Sequence, residues 1–432
     1  MSIIEIAAAA KVASIQLAAV KTDVKNKALA EIARALKDRT GDIVKANEKD
    51  LADAEKNNLS VPLLKRLKFD ESKIAETIAG IESLIKLDDP VGKTLSATEL
   101  DEGLELYKVS CPIGVIGVIF ESRPDALVQI STLCLKSGNA VLLKGGSEAD
   151  NTNKILADVI YEGGIKAGLP EGWIQLLKTR QDVDKMLAMY EYIDLIIPRG
   201  SNAFVRYIMN NTNIPVLGHA EGICHVYVDR DADLDMAVKI AVDSKCQYVA
   251  VCNAAETLLV HSAIAKAFLP KVKDALQKKN VEIRGYNKTR AIIDVKPATE
   301  EDWSTEYLDL IISIKVVETL DEALEHINKY GSGHTDTIVT NSKESAEKFM
   351  DLVDSANVFW NCSTRFSDGY RYGLGAEVGI STNKLHARGP VGLEGLVIYK
   401  YKLLGAGQIV ADYTGPNAKK FIHKNLNKDY GF

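Results

Sequence analysis

The chain has 432 residues, of which 46% are hydrophobic, and its formal net charge at pH 7 is −6. A chain of this size can bury a large core, and two or three domains are expected. Interspersed charges of both signs argue against a nucleic-acid-binding protein and against a membrane-surface protein. No apolar run approaches the ~20 residues of a membrane-spanning helix, and the six scattered cysteines form no C-x-x-C pair. The sequence predicts a cytoplasmic protein with neither a disulfide framework nor a zinc site.

The N-terminal part of the chain has a helical pattern. Apolar residues recur at helical spacing, with charges between them, over residues 3–57 and again over 72–87. Both stretches are therefore predicted to be helical. Pro90 and Gly92 break the pattern, and the acidic, loosely alternating residues 95–109 indicate a short hairpin or an edge ribbon.

A parallel sheet is predicted over residues 110–210. The run Pro112–Phe120 is continuously apolar, which is typical of a strand buried on both faces. Helical patterns alternate with this strand and with three further strand-like segments, at residues 140–144, 173–177 and 193–197. This alternation indicates a doubly wound α/β fold, whose ligands bind at the carboxyl ends of the strands. The polar side chains predicted at that edge are Arg123, Lys144, Arg199, Ser201 and Asn202.

The loops of this sheet lack the G-x-G-x-x-G motif of the common dinucleotide-binding fold. Gly145-Gly146-Ser147 and Gly200-Ser201 each precede a helical pattern, and helix N-termini attract phosphate groups. A glycine pair after a strand is more often only a turn, so both interpretations of these loops stay open.

Three potential metal ligands lie close together in the sequence, at His219, Cys224 and His225. Adjacent residues such as Cys224 and His225 point to opposite faces of a strand, and no second pair has zinc-type spacing. We therefore predict no metal site.

A second α/β pattern follows a domain boundary that we predict near residues 228–232. A helix is expected over 233–244, and strands and helices alternate again from residue 258 to about residue 360. The pattern predicts a second α/β domain. The lysine-rich residues 411–432 are expected to form a solvated C-terminal tail.

Cys252 lies between these helix and strand patterns, in the small and apolar stretch Tyr248–Thr257. A thiol is a useful nucleophile only as the thiolate, in a site that lowers its pKa. Backbone N–H groups at a helix start can lower that pKa and can also bind an oxyanion. A buried structural cysteine is the commoner outcome in apolar sequence, and this stretch alone does not decide between the two.

Two later loops are rich in hydrogen-bonding side chains that could bind a small anion. Spacing alone favours ordinary surface turns for both of them. The candidate ligands are Asn361, Ser363, Arg365, His386 and Arg388.

Together these segments resemble the aldehyde dehydrogenase superfamily and, within it, the γ-glutamyl phosphate reductases of proline biosynthesis. The resemblance covers nearly the whole chain, and the number and order of its segments make it specific. It rests on residues 112–125, 143–146, 198–201, 218–223, 252–257, 373–381 and 386–390.

The resemblance implies an α/β fold with three parts and a short tail. A Rossmann-type NADP-binding domain would comprise residues 1–94 and 111–228, and residues 229–385 would form the catalytic domain. Residues 95–110 and 391–410 would form a small β flap used for oligomerisation. Because such a flap has strand edges to pair, a homodimer or homotetramer is expected.

The resemblance also implies the reaction, which is NADPH-dependent reduction of L-glutamyl 5-phosphate to L-glutamate 5-semialdehyde with release of phosphate. Cys252 would form a thioester, and Asn253 and Arg123 would stabilise the oxyanion or the leaving phosphate. The implied cofactor-binding residues are Lys144, Gly145, Ser147, Arg199, Gly200, Ser201 and Glu221. The implied substrate-binding residues are Asn361, Ser363, Arg365, His386 and Arg388.

Glu221 resembles the position of the general base in hydrolytic members of the superfamily. Because the reduction needs no hydrolytic water, a structural role and a role beside the nicotinamide stay equally open. An acylating or hydrolytic aldehyde dehydrogenase is the nearest alternative, and Glu121-Ser122-Arg123-Pro124 argues against it. A non-catalytic scaffold protein is a more distant alternative, against which Cys252, Lys144 and Arg123 together argue. Association with a separate glutamate 5-kinase is a further expectation.

Overall fold

The computed structural model describes residues 2–177 and 181–431. The chain divides into a first unit, Met1–Val216 with Gly392–Phe432, and a second unit, Leu217–Val391. The helices are α1 Ile3–Leu17, α2 Thr22–Asp38, α3 Thr40–Lys56, α4 Val61–Leu67, α5 Glu71–Lys86, α6 Pro124–Lys136, α7 Asp150–Ala167, α8 Gln181–Leu187, α9 Asn202–Asn210, α10 Leu234–Cys246, α11 Ser262–Gln277, α12 Asn287–Arg290, α13 Leu320–Tyr330 and α14 Lys343–Leu352. Within the described ranges, no helix is long and apolar enough to cross a membrane.

The strands belong to four sheets. They are β1 Thr94–Asp101, β2 Leu104–Pro112, β3 Val115–Phe120, β4 Ala140–Gly145, β5 Ile174–Leu176, β6 Leu195–Arg199, β7 Cys224–Val228, β8 Ala255–His261, β9 Glu282–Gly285, β10 Lys296–Pro297, β11 Ile311–Val317, β12 Thr335–Val339, β13 Asn357–Trp360, β14 Gly379–Ser381, β15 Gly389–Val391, β16 Val397–Leu404 and β17 Lys424–Asn425.

The helical prediction for residues 3–57 is confirmed, although three helices rather than one cover this stretch. The side chain of Ser2 accepts a hydrogen bond from the Glu5 backbone N–H, and the Glu5 carboxylate accepts one from the Ser2 N–H. This capping box satisfies two N–H groups that a helix start leaves without intrahelical partners. In α2, Leu29, Ile32 and Leu36 form a buried stripe at helical spacing, which is the pattern that predicted the helix.

The first sheet lies in the first unit, and its strand order is β5-β4-β3-β6 with all pairs parallel. Every residue of β3 and β4 is buried, as their continuous apolar runs predicted. This order is the one found in half of a Rossmann fold. Phe120 pairs with both Gly145 and Arg199, so the carboxyl ends of three strands lie side by side.

A four-stranded antiparallel sheet in the first unit contains the predicted ribbon and the returning strand. Its order is β16-β2-β1-β17, and β16 pairs with β2 along its whole length, from Val397 with Pro112 to Leu404 with Glu105. The eight-residue strand β16 therefore forms one edge of this sheet. The opposite edge is the two-residue strand β17.

The C-terminal segment is exposed along most of its length, as the sequence predicts for a solvated tail, but it is also attached to a sheet. Strand β17 pairs with β1, and the Leu426 N–H donates to the Ala97 carbonyl at 2.8 Å. Leu426 and Tyr430 pack against a buried cluster that includes Tyr107 and Val109. Two apolar side chains among many lysines give a weak signal, yet they are enough to fix this segment on a sheet.

The second sheet lies in the second unit, and its strand order is β10-β9-β11-β8-β7-β12-β13 with all pairs parallel. This unit has the alternation of strands and helices that the sequence predicts between residues 258 and 360. The division between the units falls between Val216 and Leu217, earlier than the boundary predicted at residues 228–232. The reason is that β7 hydrogen-bonds to β8 and β12 of this sheet.

Candidate active site

Cys252 lies in a turn between α10 and β8. The Ala254 N–H donates to the Val251 carbonyl at 3.1 Å, and β8 begins at Ala255. The thiol is therefore carried by a tight turn and not by a helix start, because the chain has to enter the strand three residues later. Cys252 is partly exposed, as a nucleophile that meets a substrate must be.

A buried ion pair joins the two ends of this turn segment. Lys245 Nζ donates to Glu256 Oε2 at 2.5 Å, and both side chains are fully buried. Burial raises the pKa of Glu256 to about 7, and Lys245 opposes that rise. The pair connects the last turn of α10 to the start of β8, so it fixes both ends of the segment that carries Cys252.

Asn253 holds a neighbouring loop in place. Its side-chain N–H donates to the Ser367 carbonyl at 2.7 Å, and the Thr364 hydroxyl donates to the Asn253 carbonyl at 2.7 Å. One of its two amide hydrogens is thus already used within the protein. The predicted oxyanion role of Asn253 therefore has to rely on its second amide hydrogen or its backbone N–H.

Arg365, one of the predicted substrate-binding residues, is a charged group that interacts electrostatically with Cys252. The guanidinium is buried, and its Nε donates to Gln247 Oε1 at 2.9 Å. Burial lowers the pKa of Arg365, and the negative charge of a Cys252 thiolate opposes that shift. The interaction is mutual, so the guanidinium stabilises the thiolate.

Gly222 lies against the nucleophile turn. A Cβ atom at this position would be 2.1 Å from the Cys252 carbonyl oxygen and 2.4 Å from the Cys252 Cα. Any side chain would therefore displace the backbone of the nucleophile. This close approach brings the loop before β7, which carries His219 and Glu221, next to Cys252.

His334 is a neighbour of Cys252 that the sequence analysis missed. One ring nitrogen of His334, one of His219 and the Cys252 Sγ all lie within 4.8 Å of one another. His334 directly precedes β12 and belongs to no recognisable motif, so only the pairing of β12 with β7 reveals its position. The prediction of no metal site considered His219, Cys224 and His225, and it did not include this grouping.

The remaining substrate candidates divide into two groups. The Ser363 hydroxyl accepts a hydrogen bond from the Ser244 hydroxyl at 3.2 Å, and the loop of Ser363 is tied to Asn253. Asn361 bonds the backbone of Thr340 through both its side-chain oxygen and its side-chain nitrogen, so it acts as a turn residue.

Arg388 forms an ion pair with Asp354 at 3.0 Å, and His386 is exposed. The structure therefore brings Ser363 and Arg365 to the nucleophile turn. It gives Asn361 and Arg388 structural partners elsewhere in the second unit.

In the first unit, two loops at the carboxyl ends of the strands hold a carboxylate of the chain itself. The Ser201 N–H, at the start of α9, donates to Glu121 Oε2 at 3.1 Å. The Ser122 N–H and hydroxyl both donate to Glu148 Oε1, at 2.5 and 2.7 Å. The Ser201 N–H at the start of α9 thus already faces a negatively charged group, and a dinucleotide phosphate is a group of the same charge.

Lys144 and Arg123 lie at the carboxyl ends of β4 and β3. Lys144 is buried, and its ammonium group donates to the Gly145 carbonyl. Arg123 Nη2 forms an ion pair with Asp125 at 2.9 Å, and its side chain is 38% exposed. Four further predicted cofactor residues lie at the ends of these strands: Gly145 ends β4, Arg199 ends β6, Ser147 begins a short 3₁₀ turn before α7, and Gly200 precedes α9. Glu221 instead lies in the second unit, in the loop before β7.

Comparison with known proteins agrees with this geometry. The model of the aldehyde dehydrogenase family matches residues 3–291. The γ-glutamyl phosphate reductases of Pelotomaculum thermopropionicum and Acetivibrio thermocellus are 69% and 68% identical to this chain. The alignments cover 100% of the chain in both cases, and 99% and 100% of the relatives.

A solved structure extends the comparison to three dimensions. The crystal structure of γ-glutamyl phosphate reductase from Thermotoga maritima is 44% identical, with a TM-score of 0.93 over 95% of this chain and 100% of that one. The chain therefore belongs to the aldehyde dehydrogenase family and, within that family, to the γ-glutamyl phosphate reductases.

Proposed function

We propose that this chain reduces L-glutamyl 5-phosphate to L-glutamate 5-semialdehyde, with NADPH as the reductant and phosphate as the leaving group. One observation carries the proposal, which is the 69% identity over the full chain to a protein of that name. The chemistry of the site also supports the proposal, because the partly exposed thiol of Cys252 interacts with the buried guanidinium of Arg365. This is the second step of proline biosynthesis from glutamate.

Cys252 performs the covalent chemistry. Its thiolate attacks the acyl carbon of the acyl phosphate, a C–S bond forms, and the C–O bond to phosphate breaks with its electron pair leaving on phosphate. The buried Arg365 guanidinium is a positive charge that attracts a negative charge at Cys252. No water is consumed in this direction, so no residue is needed to deprotonate water.

The first unit holds the cofactor in this proposal. Lys144 binds the adenosine ribose, and its positive charge suits the 2′-phosphate that distinguishes NADPH from NADH. Ser147, Gly200 and Ser201 would bind the diphosphate, with Ser201 at the start of α9, and Glu121 would then have to release the Ser201 N–H. A bound nicotinamide would supply the hydride for reduction of the thioester, and Cys252 would then leave as the thiolate.

Arg123 is proposed to bind the leaving phosphate. A guanidinium can hold two phosphate oxygens at once, and its partial exposure allows it to leave Asp125. The matching segment of hydrolytic relatives carries an asparagine, which suits an oxyanion but not a dianionic leaving group. Two alternative roles stay equally open for Glu221: a structural role and a role beside the nicotinamide.

The direct test is the reverse reaction at alkaline pH, with glutamate semialdehyde, NADP⁺ and inorganic phosphate. We expect reduction of NADP⁺ that depends on phosphate and falls by at least about 10⁴-fold in Cys252→Ala. Cys111→Ser, a change to a half-buried thiol on β2, is the matched control and should keep full activity. Activity without phosphate would indicate a hydrolytic aldehyde dehydrogenase, and activity in Cys252→Ala would exclude the thioester route.

We also propose that β16 pairs with β16 of a second copy of this chain. Within the described residues, β16 has a neighbouring strand on one side only. Its exposed side chains include Ile398, Tyr399, Tyr401 and Leu403, and a long edge strand of this kind favours pairing. Sedimentation equilibrium should give a dimer or a tetramer, and Tyr401→Pro should shift it toward monomer. A wild-type monomer would exclude the proposal.

Association with glutamate 5-kinase stays a prediction.

A further inference from the structure

The group formed by His219, Cys252 and His334, here called the thiol–histidine cluster, has the composition of a metal site. Its three donor atoms lie within 4.8 Å of one another. His334 is fully buried, whereas His219 and Cys252 are partly exposed. The cluster is therefore built into the protein on one side and accessible from solvent on the other.

The orientation of His219 suits a metal ligand. Its Nδ1 lies 2.8 Å from the Ile380 carbonyl oxygen, and a carbonyl can only accept, so Nδ1 carries the hydrogen. In the neutral ring the lone pair then resides on Nε2. Metal-binding histidines are commonly oriented in this way, with the other ring nitrogen donating to a backbone carbonyl.

His334 provides the second, independent observation. Its Nδ1 lies 2.8 Å from the Thr335 hydroxyl oxygen, while its Nε2 is buried and has no hydrogen-bond partner among the described residues. A buried polar atom without a partner destabilises a protein, so a ligand bound at this nitrogen would offset that cost.

We propose that the thiol–histidine cluster binds one zinc ion and that the bound ion switches the enzyme off. One sulfur and two imidazole nitrogens are the donors that zinc prefers, whereas magnesium and calcium prefer oxygen. Tetrahedral zinc with bonds of about 2.3 Å to sulfur and about 2.0 Å to nitrogen places its ligands about 3.3–3.6 Å apart. The cluster has to contract by roughly 1 Å to reach that geometry. Water completes the fourth position.

The inhibition follows from the chemistry of Cys252. Zinc binding displaces the thiol proton, which goes to solvent, and the sulfur electron pair that attacks the acyl phosphate then forms the Zn–S bond. The thiol is neither oxidised nor alkylated, so a chelator should restore activity in full. This consequence rests on the proposed function, whereas the binding itself does not.

The neighbouring Cys224 stays outside the site. It is fully buried, its Sγ donates to the Cys252 carbonyl at 3.2 Å and lies 3.7 Å from His334 Nδ1, and it does not belong to the group of three converging donor atoms. The cluster is therefore a three-ligand site with one open position.

The test measures binding first, without any substrate. The metal-free protein is titrated with Co²⁺, whose bond to a thiolate gives a near-ultraviolet charge-transfer band, and with Zn²⁺ against a chromophoric chelator. We expect one equivalent per chain and a band that is absent in Cys252→Ser and retained in Cys111→Ser. His219→Gln, at a partly exposed position, and His334→Gln should each weaken zinc binding by roughly 100-fold.

Two results would overturn the proposal. One is zinc affinity that neither His219→Gln nor His334→Gln changes, because a single thiol would then explain the binding. The other is a full equivalent of zinc bound by Cys252→Ser. If His334→Gln does not fold, His219→Gln decides alone. In the activity assay, zinc should inhibit the wild type reversibly with the same affinity that the titration gives. An enzyme that stays active with one equivalent bound would exclude the switch.

Discussion

The two parallel sheets of this chain place polar groups in opposite ways. In the first sheet, β3 and β4 are buried and apolar up to Lys144 near the end of β4, so their chemistry lies in the loops. In the second sheet, fully buried polar side chains lie within the strands themselves, as at Thr335, Asp336 and Thr337 of β12. An apolar sheet is a scaffold for a site at its edge, whereas a sheet with a polar interior positions a site through its own side chains.

Pairs of polar groups from different segments stabilise that polar interior. Asp336 Oδ1 accepts hydrogen bonds from the backbone N–H of His225 and from its Nδ1, each at 2.8 Å. The Ser355 hydroxyl donates to the other oxygen of Asp336. Because buried polar groups need such partners, β7 and β12 can be paired in only one register. That register also places His334 beside Cys252.

Breaking a polar pair in the second unit should lower its stability and also change the reactivity of Cys252. Lys245→Ala leaves the buried Glu256 without its cation, and we expect a loss of about 3–5 kcal/mol in the free energy of unfolding. The rate at which iodoacetamide alkylates Cys252 should also differ from the wild-type rate, because the ion pair fixes both ends of the turn that carries this thiol.

Leu142→Ala, in β4, is the matched change in the first sheet. It should cost a similar 2–5 kcal/mol and leave the Cys252 alkylation rate unchanged. Denaturant unfolding and thiol labelling measure the two effects. Equal effects of both variants on the thiol would remove the contrast between the sheets.

A change at the edge of the first sheet should affect turnover and not stability. Arg123→Ala should lower kcat by roughly 100- to 1000-fold, the usual cost of a lost donor to a developing negative charge. The free energy of unfolding should stay within about 0.5 kcal/mol of the wild-type value. Arg66→Ala, at an exposed position on α4, is the control. Near-normal turnover of Arg123→Ala would remove Arg123 from the site.

The polar interior should also give the second unit a dependence of stability on pH. Because the pKa of Glu256 is raised from 4.5 to about 7 in the folded protein, the folded state binds more protons than the unfolded state between these values. The contribution of Glu256 to stability therefore falls as the pH rises from 4.5 to 7. The free energy of unfolding, measured as a function of pH across this range, should fall less steeply in Glu256→Gln than in the wild type. An identical slope in both proteins would contradict the assignment.

The smallest expected effect concerns the C-terminal strand. Leu426→Ala removes part of an apolar contact with the cluster around Tyr107, and we expect a loss of about 1 kcal/mol in unfolding free energy. Lys420→Ala, at an exposed position in the same segment, should cost nothing measurable. Equal stability of the two variants would mean that the segment is only loosely attached.

The sequence predicts the first sheet better than the second for a physical reason. Continuous apolar runs identify β3 and β4 directly, since a strand buried on both faces needs apolar residues throughout. Strand β12 was missed because Thr335, Asp336 and Thr337 resemble an exposed segment. They are buried because they pair with residues from other segments. His225, the partner of Asp336, lies about a hundred residues away in the chain, so no local pattern reveals the pairing.

The same contrast holds for the site residues. Cys252 and Arg123 lie in recognisable local motifs, so a single sequence indicates them. The nearness of His334 to Cys252 depends on a long-range strand pairing, and the burial of Arg365 depends on the loop held by Asn253. Leu426 and Tyr430 were missed for a related reason, because two apolar residues among lysines do not indicate which strand they join.

The two polar pairs of the second unit also differ in the length of chain that they close. Lys245 and Glu256 are 11 positions apart, whereas His225 and Asp336 are 111 apart. Closing a short loop costs less conformational entropy than closing a long one, so the turn that carries Cys252 can take shape from local contacts during folding. His334 arrives only with the late, long-range pairing of β12. Loop-closure entropy therefore predicts that the nucleophile acquires its turn before it acquires its buried histidine, an order that φ-values of variants in the two pairs would test.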